Sequence, residues 1–204
     1  MIYFIVTTSL FNKCDVRKHQ YVNGIHKLKK VIKEQKINDY KIIIVENNGM
    51  KYTFLNLFDC DVFYTTNNRL SNNKGYKELQ DVLDCIEHFN INDTDFIVKM
   101  TGRYILDNNS EFMNVIKNIH NTKYECVIKY GPYYAPVNFK TNDCITGLIG
   151  MLCRYIKQIK KPNERECVEW KWGEVTKLID DDKICLVNNL GINICPNSNT
   201  YFFV

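Results

Sequence analysis

A lysine and an arginine stand four residues apart where an apolar stretch gives way to a turn. The stretch begins at Phe96 and leads to Lys99, Thr101, Gly102 and Arg103. If its apolar part is a strand, two cations and several backbone amides lie at the carboxyl end, where open α/β sheets bind ligands. Lysine, arginine and backbone N–H groups suit a phosphate or a diphosphate. We therefore predict that the last four of these residues bind an anionic nucleotide.

Two earlier apolar stretches also end in polar residues. The first, at 2–6, leads into a Thr-Thr-Ser sequence, and the second, at 41–45, leads into Glu-Asn-Asn-Gly. Ends of parallel strands meet at one edge of a sheet, so we expect these residues to lie near the basic turn. Arg17 and Lys74, near strand ends as well, are further candidates for binding the same anion.

The spacing of apolar residues predicts the elements that position these groups. Helical spacing occurs at 15–35, 52–57, 76–89, 112–120, 146–159 and from near 166 to 178. Short apolar runs predict strands at 2–6, 41–45, 62–65, 124–130, 184–187 and 192–194, besides the strand that begins at 96. A loop rich in proline and aromatic residues is expected at 131–136. The alternation predicts βαβ crossovers and an α/β fold, with a Rossmann-type mixed sheet flanked by helices in a single compact domain.

Composition restricts the class of protein. A chain of 204 residues with 45% hydrophobic and 25% charged residues is long enough for one ordered domain with a sizeable core. A formal charge of +4 is too small to indicate nucleic-acid binding. The 9 cysteines form no CxxC pair and lie mostly in apolar runs, as reduced cysteines do, so we expect a reducing compartment. The sequence shows neither a secretory signal nor a membrane span, and we predict a cytoplasmic protein.

The order of these parts resembles that of the GT-A fold glycosyltransferases, which use nucleotide sugars as donors. The resemblance is carried by residues 7–9, 43–49, 73–78 and 99–104, each at the expected place along the chain. It implies one GT-A-like domain over 1–204, with a nucleotide-sugar-binding half at 1–106 and an acceptor half at 107–204.

The resemblance also implies roles for single residues of the donor site. Thr7, Thr8 and Ser9 would line the nucleoside pocket. Glu46 would accept a hydrogen bond from an imide N–H of the base. Asn73, at the start of a predicted helix, would belong to the same site.

One feature of the family is missing from the sequence. Many GT-A enzymes hold a divalent cation through an Asp-X-Asp motif at the end of the central strand. Residues 99–104 contain no acid, and literal matches such as those at 59–61 and 93–95 lie elsewhere along the chain. Hard cations need converging oxygen ligands rather than a spacing alone. We therefore expect no divalent metal and no other cofactor, and predict that Lys99 and Arg103 stabilise the leaving diphosphate.

An inverting transfer also needs a general base for the acceptor hydroxyl. The acceptor half offers two candidates, Asp143 and Glu169. Glu169 is adjacent to Trp170 and close to Trp172, and aromatic faces of this kind suit sugar rings. We prefer Glu169 on this ground, and the sequence leaves a retaining reaction open.

The sequence thus predicts a metal-independent glycosyltransferase of the hexosyl- or deoxyhexosyltransferase class. It would move a sugar from a nucleoside diphosphate to a hydroxyl of a glycan or another acceptor. The lysine- and asparagine-rich composition and short length are similar to those of small glycosyltransferases of large DNA viruses, which would place the protein in the host cytoplasm. A sugar-nucleotide nucleotidyltransferase is the alternative enzyme, although residues 7–11 lack the Gly-rich basic loop expected of that class. An inert carbohydrate- or protein-binding module on the same fold is the non-enzymatic alternative.

Overall fold

The computed structural model describes residues 1–10, 15–49, 51–131, 142–195 and 201–204. The strands are β1 (Ile2–Thr8), β2 (Tyr40–Glu46), β3 (Asp61–Tyr64), β4 (Phe96–Thr101), β5 (Ile105–Leu106), β6 (Cys126–Ile128), β7 (Leu148–Leu152), β8 (Ile184–Leu186), β9 (Ile192–Ile194) and β10 (Phe202–Phe203). The α-helices are α1 (Asp15–Glu34), α2 (Lys74–His88), α3 (Glu111–Ile116), α4 (Cys153–Ile156) and α5 (Val168–Val175). Short 3₁₀ helices span Phe54–Phe58, Asn67–Arg69, Ile119–Asn121, Thr176–Leu178 and Asp181–Lys183. Within the described ranges, no helix is both long and apolar enough to cross a membrane.

One mixed sheet organises the chain, with the strand order β3-β2-β1-β4-β7-β6-β8. β1 pairs in parallel with β2 and β4, and β2 pairs in parallel with β3. β7 is antiparallel to both β4 and β6, and β6 is parallel to β8. A smaller antiparallel sheet has the order β10-β9-β5. Strands from early and late parts of the chain therefore share one sheet, which confirms the predicted mixed α/β domain.

Helices cover both faces of the large sheet. α1 and α3 pack on one face, in the same apolar cluster as Phe4, Val6 and Val98. α2, α4 and α5 pack on the other face, in a cluster that contains Ile5 and Ile97. Side chains alternate between the faces along a strand, so every second residue of β4 after Ile97 faces α2. This alternation places the polar end of β4 beneath that helix.

The early elements follow the prediction closely. Strands at 2–6, 41–45 and 62–65 and helices at 15–35 and 76–89 are confirmed, with ends that shift by a few residues. β1 continues to Thr8, so Thr7 and Thr8 belong to the strand rather than to a turn. The helix predicted at 112–120 divides into α3 and a 3₁₀ helix, and the proline-rich loop after Gly131 lies outside the described residues.

The helix predicted at 146–159 is wrong over most of its length. β7 occupies the middle of this segment, and only Cys153–Ile156 is α-helical. β7 lies between two strands and beneath helices on both faces, so almost every residue is apolar, and a continuous apolar run also satisfies helical spacing. Gly150 lies at its centre, where a Cβ would come within 2.7 Å of the Phe96 ring. Close packing against the Phe96 ring therefore explains why a residue without a side chain occupies position 150.

The strand ends that matter for function meet at one edge of the sheet. Thr7 is in register with Thr101 of β4, and Thr8 is in register with Glu46 of β2. Because β7 runs antiparallel to β4, the residues that precede β7 reach the same edge. Four separate segments of the chain therefore surround the ends of the parallel strands.

Candidate active site

A cleft of about 290 Å³ opens at the carboxyl ends of β1, β2 and β4. Its walls come from these strand ends, from α1, α2 and α5, and from the segment before β7. The described residues that line it are Thr7, Thr8, Ser9, Arg17, Tyr21, Asn47, Asn68, Lys74, Lys77, Glu78, Asp81, Thr101, Arg103, Tyr104, Thr146, Gly147 and Glu169. This position is the one where open α/β sheets bind ligands.

The structure brings together most of the residues predicted to form the site. Those that line the cleft are Thr7, Thr8, Ser9, Arg17, Lys74, Thr101, Arg103 and Glu169. The predicted residues outside its described lining are Glu46, Asn73, Lys99, Gly102 and Asp143. The contacts of Glu46, Asn73, Lys99 and Gly102 show what each of these residues does behind or beside the walls.

Lys99 is buried beneath α2, with only 1% of the residue exposed. Its ammonium forms an ion pair with Glu78 Oε1 at 2.7 Å and donates hydrogen bonds to Thr146 O at 2.6 Å and Thr101 Oγ1 at 3.2 Å. The hydroxyls of Thr7 and Thr101 donate to the same Glu78 oxygen, at 2.6 and 2.9 Å. Lys99 therefore joins β4, α2, β1 and the segment before β7 from behind the cleft wall.

The Glu78 carboxyl is ionised within this network. Desolvation opposes its ionisation, but the Lys99 charge and the hydrogen bonds from Lys99, Thr7 and Thr101 outweigh that cost and hold its pKa below the usual value. The ion pair thus neutralises one acid that lines the cleft. Its lysine charge is already paired with protein.

Glu46 is fully buried and ties two strand ends together. Its carboxylate accepts hydrogen bonds from the Thr8 hydroxyl at 2.8 Å and from the backbone N–H groups of Leu10 and Asn48 at 3.0 and 3.1 Å. The Asn48 amide donates both to Glu46 and to the Ser9 hydroxyl. In this arrangement Glu46 orders the residues around Ser9 through hydrogen bonds within the protein.

Asn73 and Gly102 also have clear structural contacts. Asn73 is the N-cap of α2, where its side-chain oxygen accepts from Gly75 N at 2.9 Å and Tyr76 N at 3.2 Å. Gly102 packs against β1, where a Cβ would lie 2.9 Å from a Val6 methyl. A Cβ on Gly24 of α1 would overlap the Gly102 carbonyl oxygen, so helix and turn are in direct backbone contact. Both residues shape the cleft from outside its described lining.

Asp81 is a site residue that the sequence analysis missed. It is fully buried and accepts hydrogen bonds from Asn47 at 2.7 Å, Asn67 at 2.9 Å and Thr65 at 3.0 Å. Desolvation, opposed by these hydrogen bonds and reinforced by the charge of Glu78, raises the pKa of Asp81 to about 7. An acid with such a pKa changes its charge near neutral pH, within the wall of the cleft.

One sequence signal could have identified the α2 wall. Lys74, Lys77, Glu78 and Asp81 recur at helical spacing, so they share one face of α2. Asp81 also lies between the apolar positions of that helix, where a polar residue needs buried partners. The partners, in the segments that follow β2 and β3, have no comparable signal.

Glu169 lines the cleft from the first turn of α5, which packs against the start of α2. Its carboxylate accepts a hydrogen bond of 3.4 Å from the Thr146 hydroxyl, and its carbonyl accepts one from the Cys144 thiol. Trp172 is buried in the core, whereas Trp170 is half exposed. Of the two predicted bases, Glu169 lines the cleft, and Asp143 lies outside its described lining.

The end of β4 does not suit a divalent cation. Residues 99–104 provide two cations and no carboxylate, and oxygen ligands are what such ions require. Across the part of the chain that the structure describes, no three His, Cys, Asp or Glu side chains group as metal ligands do.

The fold is similar to that of solved nucleotide-sugar enzymes, although no protein-family model and no curated protein sequence matches the chain. A Bacillus anthracis protein described as a glucose-1-phosphate thymidylyltransferase, in complex with a sucrose, has a TM-score of 0.58 at 13% identity, over 92% of this chain and 86% of its own. A mannosyltransferase from Pyrobaculum calidifontis, in complex with GDP-Man and Mn²⁺, has a TM-score of 0.55 at 10% identity. This match covers 92% of our chain but 56% of that enzyme, so the chain spans little more than half its length. A Desulfovibrio desulfuricans protein described as a nucleotide-diphospho-sugar transferase has a TM-score of 0.52 at 10% identity, over 91% and 79% of the two chains.

Replacing Lys99 tests the buried ion pair. Lys99→Met keeps the length of the side chain but leaves the Glu78 carboxylate without its cation, so we expect a loss of about 3–5 kcal/mol in the free energy of unfolding. The double variant Lys99→Met/Glu78→Met should recover most of that loss. Lys30→Met, which removes an exposed pair with Glu34, is the control and should cost about 0.5 kcal/mol or less. Denaturant unfolding at pH 7 measures all three, and equal losses in the single and double variants would contradict the assignment.

Asp81 should make stability depend on pH. Its folded pKa of about 7 exceeds the usual value of about 3.9, so the folded state binds the extra proton and wild-type stability falls as pH rises between these values. Asp81→Asn removes this dependence, and its stability relative to wild type should grow by up to about 1.4 kcal/mol per pH unit from about pH 4 to about pH 7. When the Asn47 amide turns over, the new amide can donate to Asn47 Oδ1, which has no hydrogen-bond partner among the described residues. Denaturant unfolding curves across this pH range measure the difference, and Glu87→Gln on the same helix is the control. A stability difference between Asp81→Asn and wild type that does not change with pH would contradict the raised pKa of Asp81.

Proposed function

We propose that the protein is a glycosyltransferase that transfers a sugar from a nucleoside diphosphate to an acceptor hydroxyl. The observation that carries the proposal is the arrangement of charge around the cleft. Arg17, Lys74, Lys77 and Arg103 line it together, and the carboxylate of Glu169 lies on the wall formed by α5. A diphosphate needs converging cations, and an acceptor hydroxyl needs a base.

The donor nucleotide is proposed to bind at the ends of β1 and β2. Thr7, Ser9 and Asn47 line this part of the cleft with hydroxyl and amide groups. Ser9 N donates a hydrogen bond of 2.9 Å to the Tyr21 hydroxyl oxygen, and this contact holds the end of β1 against α1. Glu46 acts in this proposal as a positioning residue, through its hydrogen bonds to the backbone around Ser9.

The diphosphate is proposed to leave toward the basic residues. Breaking the bond between the sugar and the diphosphate oxygen transfers negative charge to that oxygen, and cations already in place stabilise it. Arg103, Lys74 and Lys77 provide this charge from two sides of the cleft. We propose that the reaction uses these cations and no divalent metal. Lys99 contributes indirectly, because it neutralises Glu78 and fixes the end of β4.

Glu169 is proposed to be the general base. The acceptor hydroxyl attacks the sugar carbon, its proton passes to the Glu169 carboxylate, and the electron pair of the broken bond leaves with the diphosphate. The Thr146 hydroxyl orients the carboxylate from within the cleft. The half-exposed Trp170, on the same helix, offers an aromatic face to a carbohydrate acceptor.

A nucleotidyltransferase is the second candidate. The specific observation in its favour is the similarity to the thymidylyltransferase-like protein, which extends over 86% of that chain. This reaction joins a sugar 1-phosphate to a nucleoside triphosphate and releases pyrophosphate. Release of pyrophosphate from these two substrates, with no transfer from a nucleotide sugar, would support this candidate and contradict the first.

Arg103→Ala tests the diphosphate site. We expect the affinity for nucleoside diphosphates to fall by about tenfold or more, because a charge-assisted hydrogen bond is worth about 1.5–3 kcal/mol, while the affinity for the nucleoside changes little. Calorimetric titration with uridine, thymidine and guanosine diphosphates and their nucleosides measures the difference. Arg165→Ala, an exposed arginine outside the described lining, is the control. Equal loss for nucleoside and diphosphate would assign a structural role to Arg103.

Glu169→Gln tests the base. The amide keeps the shape of the side chain but cannot take a proton, so sugar transfer should fall by about 10²–10⁴-fold while donor affinity is retained. Glu174→Gln, an exposed carboxyl on the same helix, should transfer normally. Transfer is measured with radiolabelled nucleotide sugars and a panel of glycan acceptors. Unchanged transfer in Glu169→Gln would remove the role from this residue.

A further inference from the structure

Two large apolar side chains project from one short segment beside α1. Tyr52 is 91% exposed and Leu57 is 85% exposed. Leu57 belongs to the 3₁₀ helix Phe54–Phe58, whose Leu55 and Phe58 are buried in the core. Leu55 and Phe58 thus anchor the segment in the core, whereas Tyr52 and Leu57 are exposed to solvent.

The segment is held firmly in this position. The Thr53 hydroxyl caps the 3₁₀ helix by accepting from Leu55 N, and the Tyr64 hydroxyl accepts from Thr53 N at 3.0 Å. The Phe58 ring packs edge-on against His26 of α1, with ring centroids 5.0 Å apart. The projection of Leu57 is therefore a property of an ordered platform that leans on α1.

Two lysines of α1 contact this platform. Lys18 Nζ lies 5.4 Å from the centre of the Phe54 ring, and Lys29 Nζ donates a hydrogen bond to Phe58 O. Lys30 and Lys33 are exposed further along the helix, and Lys30 is 3.7 Å from Glu34. We call Tyr52, Leu57, Lys18, Lys29, Lys30 and Lys33 the lysine face.

The basic character continues beyond the platform. A groove of about 650 Å³ at the end of α1 is lined by Lys29, Lys30, Lys33 and Lys36 together with apolar and aromatic side chains. A lysine can cover apolar surface with its aliphatic chain while its ammonium reaches water. Such side chains are favoured at membrane interfaces, where apolar and charged groups meet. Positive charge therefore continues from the platform along α1 to the C-terminal end of that helix.

We propose that the lysine face docks the protein on a membrane leaflet that contains anionic lipids. The lysine charges complement lipid phosphates and carboxylates at the surface, and Leu57 and Tyr52 reach the boundary between headgroups and acyl chains. A nucleic acid would use the same charges but offers no apolar phase to Leu57, so the apolar projection favours the membrane. The residues of the lysine face do not belong to the described lining of the cleft, and docking does not depend on the proposed reaction.

Vesicle flotation with the full chain tests the proposal. We expect binding to vesicles of phosphatidylcholine with about one quarter phosphatidylserine, and little binding to pure phosphatidylcholine, because each lysine near an anionic surface contributes favourably. Raising the salt from about 0.1 M to about 0.5 M should weaken binding, since it shortens the screening length. Equal binding to both kinds of vesicle, or binding to neither, would overturn the proposal.

Two variants separate the charged and the apolar contributions. Lys30→Glu/Lys33→Glu should weaken binding to anionic vesicles by about tenfold or more. Tyr52→Asn/Leu57→Ser should weaken it several-fold, and both variants should keep the melting temperature because the changed side chains are exposed. Lys160→Glu/Lys161→Glu and Leu178→Ser, which alter exposed residues elsewhere on the molecule, are the matched controls. Equal losses in variants and controls would contradict a specific face.

A third variant reports directly on insertion of Leu57. Tryptophan emission of Leu57→Trp should shift to shorter wavelength on anionic vesicles and be quenched by brominated acyl chains, whereas Leu178→Trp should show neither effect. Absence of both signals in Leu57→Trp would overturn the proposed orientation. Binding of single-stranded RNA that is lost in Lys30→Glu/Lys33→Glu but retained in Tyr52→Asn/Leu57→Ser, without vesicle binding, would identify a nucleic-acid surface instead.

Discussion

The cleft depends on the buried ion pair between Lys99 and Glu78. Burying the Lys99 charge is costly, and it is tolerated here because its ammonium is close to the Glu78 carboxylate, Thr101 Oγ1 and Thr146 O. The partly exposed Glu78 carboxylate also accepts hydrogen bonds from the hydroxyls of Thr7 and Thr101. The network joins two strands, one helix and the segment before β7, so the positions of β1, β4, α2 and that segment are interdependent. Because the strand ends are fixed in this way, the side chains of the same segments that face the cleft keep fixed positions around a ligand.

Two further acids, Glu46 and Asp81, are also buried and accept hydrogen bonds from several segments. Glu46 is surrounded by hydroxyl and N–H donors, which order the ends of β1 and β2. Asp81 has three neutral donors and a neighbouring negative charge, and burial raises its pKa. The difference follows from partners: a nearby lysine keeps Glu78 ionised, whereas amides and one hydroxyl only partly offset the desolvation of Asp81. Two carboxyls one turn apart on α2, Glu78 and Asp81, thus differ in the proton they hold near neutral pH.

Sequence periodicity predicted the elements better than it predicted contacts. The strands and helices of the first half carry strong, separate patterns, and their ends lie within a few residues of the prediction. β7 was predicted as a helix because a strand covered on both faces loses its alternation. The sequence places Lys99 correctly near the end of β4. Alternation along the strand gives the face of the sheet on which Lys99 lies, but it does not reveal the ion pair with Glu78 of α2. Asp81 was missed because its partners come from loops that follow other strands.

These contacts also explain which charge remains for a ligand. Three acids line the cleft, yet Lys99 neutralises Glu78, and the raised pKa of Asp81 keeps part of its population protonated near pH 7. The basic side chains on the walls therefore dominate the local potential.

The same network bears on the missing acidic motif at the end of β4. An aspartate in place of Thr101 would replace a hydroxyl that donates to Glu78 at 2.9 Å with a second carboxylate, and two like charges at that distance oppose each other's ionisation. In this chain, an acid at that position would therefore require a different residue at position 78 as well.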